Sequence, residues 1–159
     1  MIVVSDTSAI TNLIQIDHLW LLREVYQNII IPQAVYDELV SDTKNKLIIE
    51  SLSWIKIKEV KENDITRNLK EVLDPRESEA ITLALELDAD FIIIDEKKGR
   101  KIAEDYGLRK IGLVGILVES KRKGLIKEVR NLLEQLIEKA NFFVSEKLYK
   151  DVLYQLNEL

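Results

Sequence analysis

The sequence predicts an α/β fold on a mainly parallel sheet, and three observations carry that expectation. Two short β-branched runs, Ile2-Val3-Val4 and Phe91-Ile92-Ile93-Ile94, are apolar throughout, as strands buried on both faces are. Each run stops abruptly at a carboxylate, Asp6 in one case and Asp95 in the other. Between and after them, further apolar runs alternate with stretches of helical periodicity, the pattern of strands joined by helical crossovers.

Composition narrows the class further. The chain has 159 residues, enough for one core, and 47% of them are hydrophobic, so a single domain over 1–159 is the expectation. No apolar run is long enough to span a bilayer and the N-terminus has no signal-peptide pattern, which points to the cytoplasm and away from membranes. With no cysteine, disulfides, thiolate nucleophiles and Cys-based zinc sites drop out. His18 is the lone histidine, so a Ser-His-Asp relay or a multi-histidine metal site is not built easily, and His18 is read as structural. A net charge of -5 argues against indiscriminate coating of nucleic acid, which depends on neutralising phosphates, although a local basic patch remains compatible.

In chain order, Ser8 to Tyr26 reads as helix in two pieces, broken near Asp17. Asn28 to Ile31 is a short buried strand, and Pro32 is expected at the first position of a helix reaching Val40. On that helix Glu38 borders the stripe of Ala34, Val35 and Leu39. Ser41 to Ser53 is a polar connection with a short helix, and Trp54 to Val60 alternates apolar and polar as an edge strand does. Lys61 to Leu73 is charged and helical.

Asp74-Pro75-Arg76-Glu77 then opens a helix to about Leu87, with Asp74 at the N-cap, Pro75 at the first position and Glu77 at the third. There a glutamate can reach back to the cap's N–H. The helix wheel gives Glu77 a second role, since it aligns with Ile81 and Ala84 on the buried face, where an ionised carboxylate needs a cation, an arginine or several N–H donors. Glu79 points nearly the other way and is expected to behave as a surface residue. All five glycines lie between Gly99 and Gly124, punctuating a helix near Arg100 to Tyr106, a strand near Lys110 to Val114 and a helix from Ile116 to Lys123. Lys127 to Lys139 is amphipathic through Val129, Leu132, Leu133, Leu136 and Ile137. Phe142 to Val144 is extended, and a last helix carries Leu148, Val152 and Leu156 on one stripe.

Strand, helix and strand in parallel put Asp6 and Asp95 on the same sheet edge, where α/β folds bind ligands. Adding Glu38 and Glu77 gives four carboxylates that repel one another unless a divalent cation neutralises them, and an all-oxygen set suits Mg²⁺ or Mn²⁺. Capping by Asp6 or Ser8 alone is the competing reading of the first strand tip. Lys97, Lys98, Arg100 and Lys101 follow Asp95 as a basic run able to hold a nucleic-acid backbone or to form a solvated helix face.

With these stretches in hand, Val3-Val4-Ser5-Asp6-Thr7-Ser8, Ile31-Pro32-Gln33-Ala34-Val35-Tyr36-Asp37-Glu38-Leu39, Glu77-Ser78-Glu79-Ala80-Ile81 and Ile92-Ile93-Ile94-Asp95, the chain resembles the PIN-domain nucleases and in particular their VapC-like toxins. The likeness covers nearly the whole chain. It implies a three-layer α/β/α sandwich around a central twisted sheet, an acidic Mg²⁺ or Mn²⁺ site and endoribonuclease activity on RNA. It also implies the family's four acids at Asp6, Glu38, Glu77 and Asp95, with its Ser/Thr at Ser8. The third acid is often aspartate in the family and here is glutamate, and Asp74-Pro75-Arg76 stands where a close subgroup has glycine before the acid. Metal at such a site acidifies water and neutralises charge on the phosphate, which is the chemistry of phosphodiester hydrolysis. By resemblance, a small inhibitory antitoxin and a homodimer are expected, the dimer also because the last two amphipathic helices offer more apolar stripe than one sheet needs. The other classes are an inactive PIN-like scaffold and a haloacid-dehalogenase-type phosphatase; the latter needs a second acid two positions after Asp6, where Ser8 stands.

Overall fold

The computed structural model describes residues 1–159. Its frame is a five-stranded sheet in which every pairing is parallel: β1 (Val3–Ser5), β2 (Ile29–Pro32), β3 (Ile55–Lys58), β4 (Phe91–Ile93) and β5 (Lys110–Ile111), in spatial order β3-β2-β1-β4-β5. The chain runs outward from β1 to β3 and then returns to the other side of β1, so the direction of travel reverses between β1 and β4. At such a switch point the loops leaving adjacent strands part in opposite directions and open a crevice at their carboxyl ends.

Alternation along the strands separates two cores. Val3, Ile29, Ile31, Ile55 and Ile93 face one layer, which holds α1 (Thr7–Gln15), α2 (Trp20–Tyr26), α3 (Gln33–Val40), α8 (Leu113–Arg122), α9 (Val129–Ala140) and α10 (Glu146–Gln155). Val4, Ile92 and Ile94 face the opposite layer, packed on α5 (Asp64–Lys70), α6 (Pro75–Glu86) and α7 (Lys97–Asp105). The result is the expected three-layer sandwich. Within the second layer the buried hydroxyls are paired, Thr66 donating to Thr82 and Thr82 to the Ser78 carbonyl. β3 is an edge strand, as its alternation implied, and its exposed Lys56 and Lys58 guard the open edge against pairing with another chain.

The break between α1 and α2 falls at Asp17, whose φ of 58° ends the first helix. Asp42, Asn63, Asp74 and Ser145 each accept from the N–H three residues on, capping α4 (Thr43–Glu50), α5, α6 and α10. Several boundaries differ from the sequence reading. Pro32 closes β2 and serves as the N-cap of α3, not as its first residue. β5 stops at Ile111, so Val114 lies on α8, and α7 and α8 each begin three residues earlier than expected. Ile137 is 40% exposed, off the buried stripe of α9, and on α10 it is Leu153 that reaches the core while Leu148 is 44% exposed. His18 is structural: its ring bonds the Ile16 carbonyl and sits 5.8 Å from Trp20.

Candidate metal centre

Asp6 is the residue that follows β1. Its backbone N–H donates to the Ile93 carbonyl of β4 at 2.9 Å, so the strand pairing itself fixes the carboxylate at the switch point. It is the N-cap of α1 by position, yet its side chain makes no cap bond. Capping therefore does not account for it. The carboxylate is buried, and Oδ1 has no hydrogen-bond partner. Burial raises its pKa to about 7, helped by the charges of Asp74 and Glu38 and opposed by the Thr7 N–H and by Arg76.

Glu77 reaches the same region from the second layer. Its N–H donates to Asp74 Oδ1 at 2.8 Å, which sets the start of α6. The glutamate side chain does not complete a capping box: it is 3% exposed and its Oε2 has no partner. Burial pushes Glu77 up to about 8, with the Asp74 carboxyl, Asp6 and Glu96 adding to the rise. Gly99 makes this placement possible, because a Cβ there would stand 2.3 Å from Glu77 Oε2 and 2.7 Å from Ile94 Cδ1. Asp95 lies just beyond β4. Its Oδ1 accepts from the Leu113 N–H at 2.9 Å, the first residue of α8, while Oδ2 is buried without a partner. Burial raises its pKa, against the Leu113 N–H and Arg100.

A cavity of about 570 Å³ opens beside Asp6 and Asp95 and is lined also by Glu38, Asp74 and Glu96, with only Arg76 and Lys97 as cations; Glu77 is not among its lining residues. Glu38 is there but is engaged, its Oε2 at 2.7 Å from Arg76 Nε; Arg76 also reaches Asp74 at 3.4 Å. Ser8 lines the cavity and accepts from Thr11 through its carbonyl, whereas the buried hydroxyl without a partner belongs to Thr7. The tightest acidic group is Asp74, Glu77 and Glu96, whose oxygens lie within 4.8 Å of one another. Sequence reasoning assigned Asp74 only a capping role and passed over Glu96; the signal for Glu96 was its place beside Asp95 at a strand tip.

The basic run after Asp95 does not form one patch. Lys97 lines the acidic cavity, Arg100 turns inward to the Ile94 carbonyl at 2.8 Å, and Lys101 pairs with Asp105. Glu79 is no idle surface residue either: it accepts from the Ala34 N–H at 3.1 Å and so satisfies the start of α3, the helix that carries Glu38. Glu79→Ala should therefore lower stability by about 1 kcal/mol in denaturant titration, whereas Glu79→Gln, which keeps an acceptor, should stay near wild type. Equal losses in both variants would overturn that role.

Buried carboxylate oxygens without donors occur on Asp6, Glu77 and Asp95, and Glu77 also belongs with Asp74 and Glu96 to the one group of acids whose oxygens lie within 4.8 Å of one another; oxygen donors of this kind suit an oxygen-preferring divalent cation. The chemistry of the donors agrees, since no nitrogen or sulfur ligand is near. A family model described as PIN domain matches residues 2–158. Among solved structures, a PilT N-terminus domain protein from the hyperthermophilic archaeon Sulfolobus solfataricus P2 is similar in fold, with a TM-score of 0.52 and 20% identity over 76% of this chain and 93% of that one. No curated protein matches the sequence.

Proposed function

The chain belongs to the PIN-domain family, and from that membership we propose that it is a divalent-metal-dependent endoribonuclease, the toxin of a toxin–antitoxin pair. PIN domains are generally metal-dependent nucleases. The observation that carries the reading is the set of partnerless buried carboxylate oxygens, on Asp6 and Asp95 at the switch point and on Glu77 beside Asp74 and Glu96. These three residues would hold Mg²⁺ or Mn²⁺, with Glu38, Asp74 and Glu96 around them. When bound, such an ion supplies Lewis acidity for phosphodiester hydrolysis.

The chain's own groups prepare that site. Asp6 and Glu77, raised to about 7 and about 8, hold protons near neutral pH when no cation is present, and a cation displaces those protons. Affinity for Mg²⁺ should therefore climb with pH up to about 8. The Leu113 N–H fixes the orientation of Asp95, and Arg76 neutralises Glu38 at the rim, where it and Lys97 meet an incoming phosphate. Incubation of RNA with Mg²⁺ or Mn²⁺, with and without EDTA, tests the proposal. Cleavage is expected only with the metal, and cleavage that persists in EDTA would overturn it.

An antitoxin would act on the same acids. An arginine from a small partner, pairing with Glu77 or Asp95 as Arg76 pairs with Glu38, would compete with the cation for the carboxylate. The homodimer rests on resemblance and on apolar side chains of the last two helices left at the surface, Ile137 at 40%, Leu148 at 44% and Tyr154 at 74% exposure. Light scattering should give twice the 18.4 kDa chain mass at micromolar concentration; a species of 18.4 kDa alone ends the dimer proposal.

A further inference from the structure

A second, larger cavity of about 840 Å³ adjoins the acidic one, and the two share a wall made of Asp95, Phe142 and Phe143. Their charges are opposite. The acidic cavity carries five carboxylates against two cations, while the second carries Arg100, Lys110, Arg122 and Lys123 against Asp95 and Glu119 alone. On a chain with a net charge of -5 this is a local reversal. Arg122 is paired with Glu119 and Lys110 with Glu104, but Lys123 has no ion pair. The floor is apolar, formed by Phe91, Ile111 and Val114.

The wall between the cavities is a fixed segment. Asn141, at φ 52°, ends α9 in the left-handed conformation, and the Phe142 N–H bonds the Leu136 carbonyl at 3.1 Å. Phe142 packs against the core, whereas Phe143 is 84% exposed, the highest value among the large apolar side chains exposed at the surface. An exposed aromatic face on an anchored segment, between an acidic cavity and a basic one, has the attributes of a base-stacking platform.

We infer that the second cavity is a subsite for single-stranded RNA, in which a base next to the scissile phosphate stacks on Phe143 and the flanking phosphates follow Lys110, Arg122 and Lys123. This rests on the nuclease reading above. Two features favour a polyanion over an apolar peptide or a second copy: four cations line the cavity against two carboxylates, and the cavity shares Asp95, Phe142 and Phe143 with the acidic one, so one strand lying across Phe143 reaches both. Stacking is tolerant of sequence because every base has a π-face, so the subsite positions RNA without choosing a target.

The test uses the intact protein in EDTA with a short single-stranded oligoribonucleotide carrying one 2-aminopurine, whose fluorescence falls on stacking. Phe143 is exposed, so its variants should fold. Phe143→Ala and Phe143→Leu should each weaken binding by about 5- to 100-fold and abolish the quenching, and Phe143→Tyr should restore both. Lys123→Gln should lower the slope of log affinity against log salt by about 0.7. Wild-type affinity in Phe143→Ala or Phe143→Leu overturns the subsite, as does a change in mass by light scattering with RNA binding intact, which would assign the surface to a second copy. If wild type cleaves RNA with Mn²⁺ and Phe143→Ala does so with unchanged KM, the subsite fails and the nuclease reading stands. If wild type neither binds nor cleaves RNA, the nuclease reading fails and takes the subsite with it.

Discussion

Asp6→Asn should abolish metal-dependent cleavage while making the metal-free protein more stable above neutral pH. Loss of the proposed ligand should remove several kcal/mol of charge stabilisation in the transition state, a fall of roughly 10²-fold or more in rate. The stability gain follows from burial. In the folded chain Asp6 takes up its proton at about 7, against 3.8 for an ordinary aspartate, so between these values the folded state binds more protons than the unfolded one. Stability attributable to the protonated group is therefore fully present below about pH 4, is lost as pH rises to about 7, and is level beyond. Asparagine keeps the shape without the charge. The variant and wild type should melt together near pH 4 and diverge with rising pH, by on the order of 4 kcal/mol at pH 8. Excess Mg²⁺ should raise the melting temperature of wild type and leave that of Asp6→Asn unchanged. A variant less stable than wild type at pH 8 without metal would show that the buried carboxylate is held by something other than a cation.

Glu77 tests the same logic from the other side of the sheet. It titrates at about 8, so its share of the pH-dependent loss continues beyond the point where that of Asp6 has ended. The stability of Asp6→Asn should still decline between about pH 5 and 8, and a flat profile there would place the remaining buried charge elsewhere.

The sheet could be read from the chain because β1, β2 and β4 lie in continuous apolar, largely β-branched runs and β3 alternates apolar with polar, both local signals. The break at Asp17 and the cap at Asp74 were legible for the same reason: the residues that stop or start a helix lie inside the segment concerned. The boundary of β5 was not. Ile111-Gly112-Leu113-Val114 is a short apolar run that suits a strand or a helix start, and Gly112 as N-cap decides for the helix only once the Asp95 carboxylate occupies the Leu113 N–H from 18 residues away. The acids divide along the same line. Asp6, Glu77 and Asp95 could be placed by strand tips and a helix wheel. The pairing of Glu38 with Arg76 and of Glu79 with Ala34 depends on how α3 meets α6, a tertiary relation that no periodicity contains. Asp74 was hidden by having a sufficient local role, since a residue that caps a helix raises no further question.

Gly99→Ala should impair the proposed metal centre without replacing any acid. A methyl group there would sit 2.3 Å from Glu77 Oε2 and 2.7 Å from Ile94 Cδ1, both closer than atoms can approach. Ile94 is 1% exposed and held in the second core, so it has little room to yield; the end of the Glu77 side chain is freer and must move away from the new methyl group. Overpacking of this kind costs about 1–3 kcal/mol, and here part of that strain is relieved because one of the two crowded atoms is the end of a flexible side chain. The expected result is therefore uneven: a stability loss at or below the low end of that range at pH 8, together with metal affinity and cleavage reduced by 10-fold or more because one ligand has left its position. Gly107→Ala is the control, since nothing lies within 4 Å of its Cβ position and its φ of +80° confines the penalty to backbone strain. It should lose comparable stability and keep its metal affinity. Calorimetric titration of Mn²⁺ into both variants separates the outcomes, and equal affinity in Gly99→Ala and wild type would remove Glu77 from the metal centre.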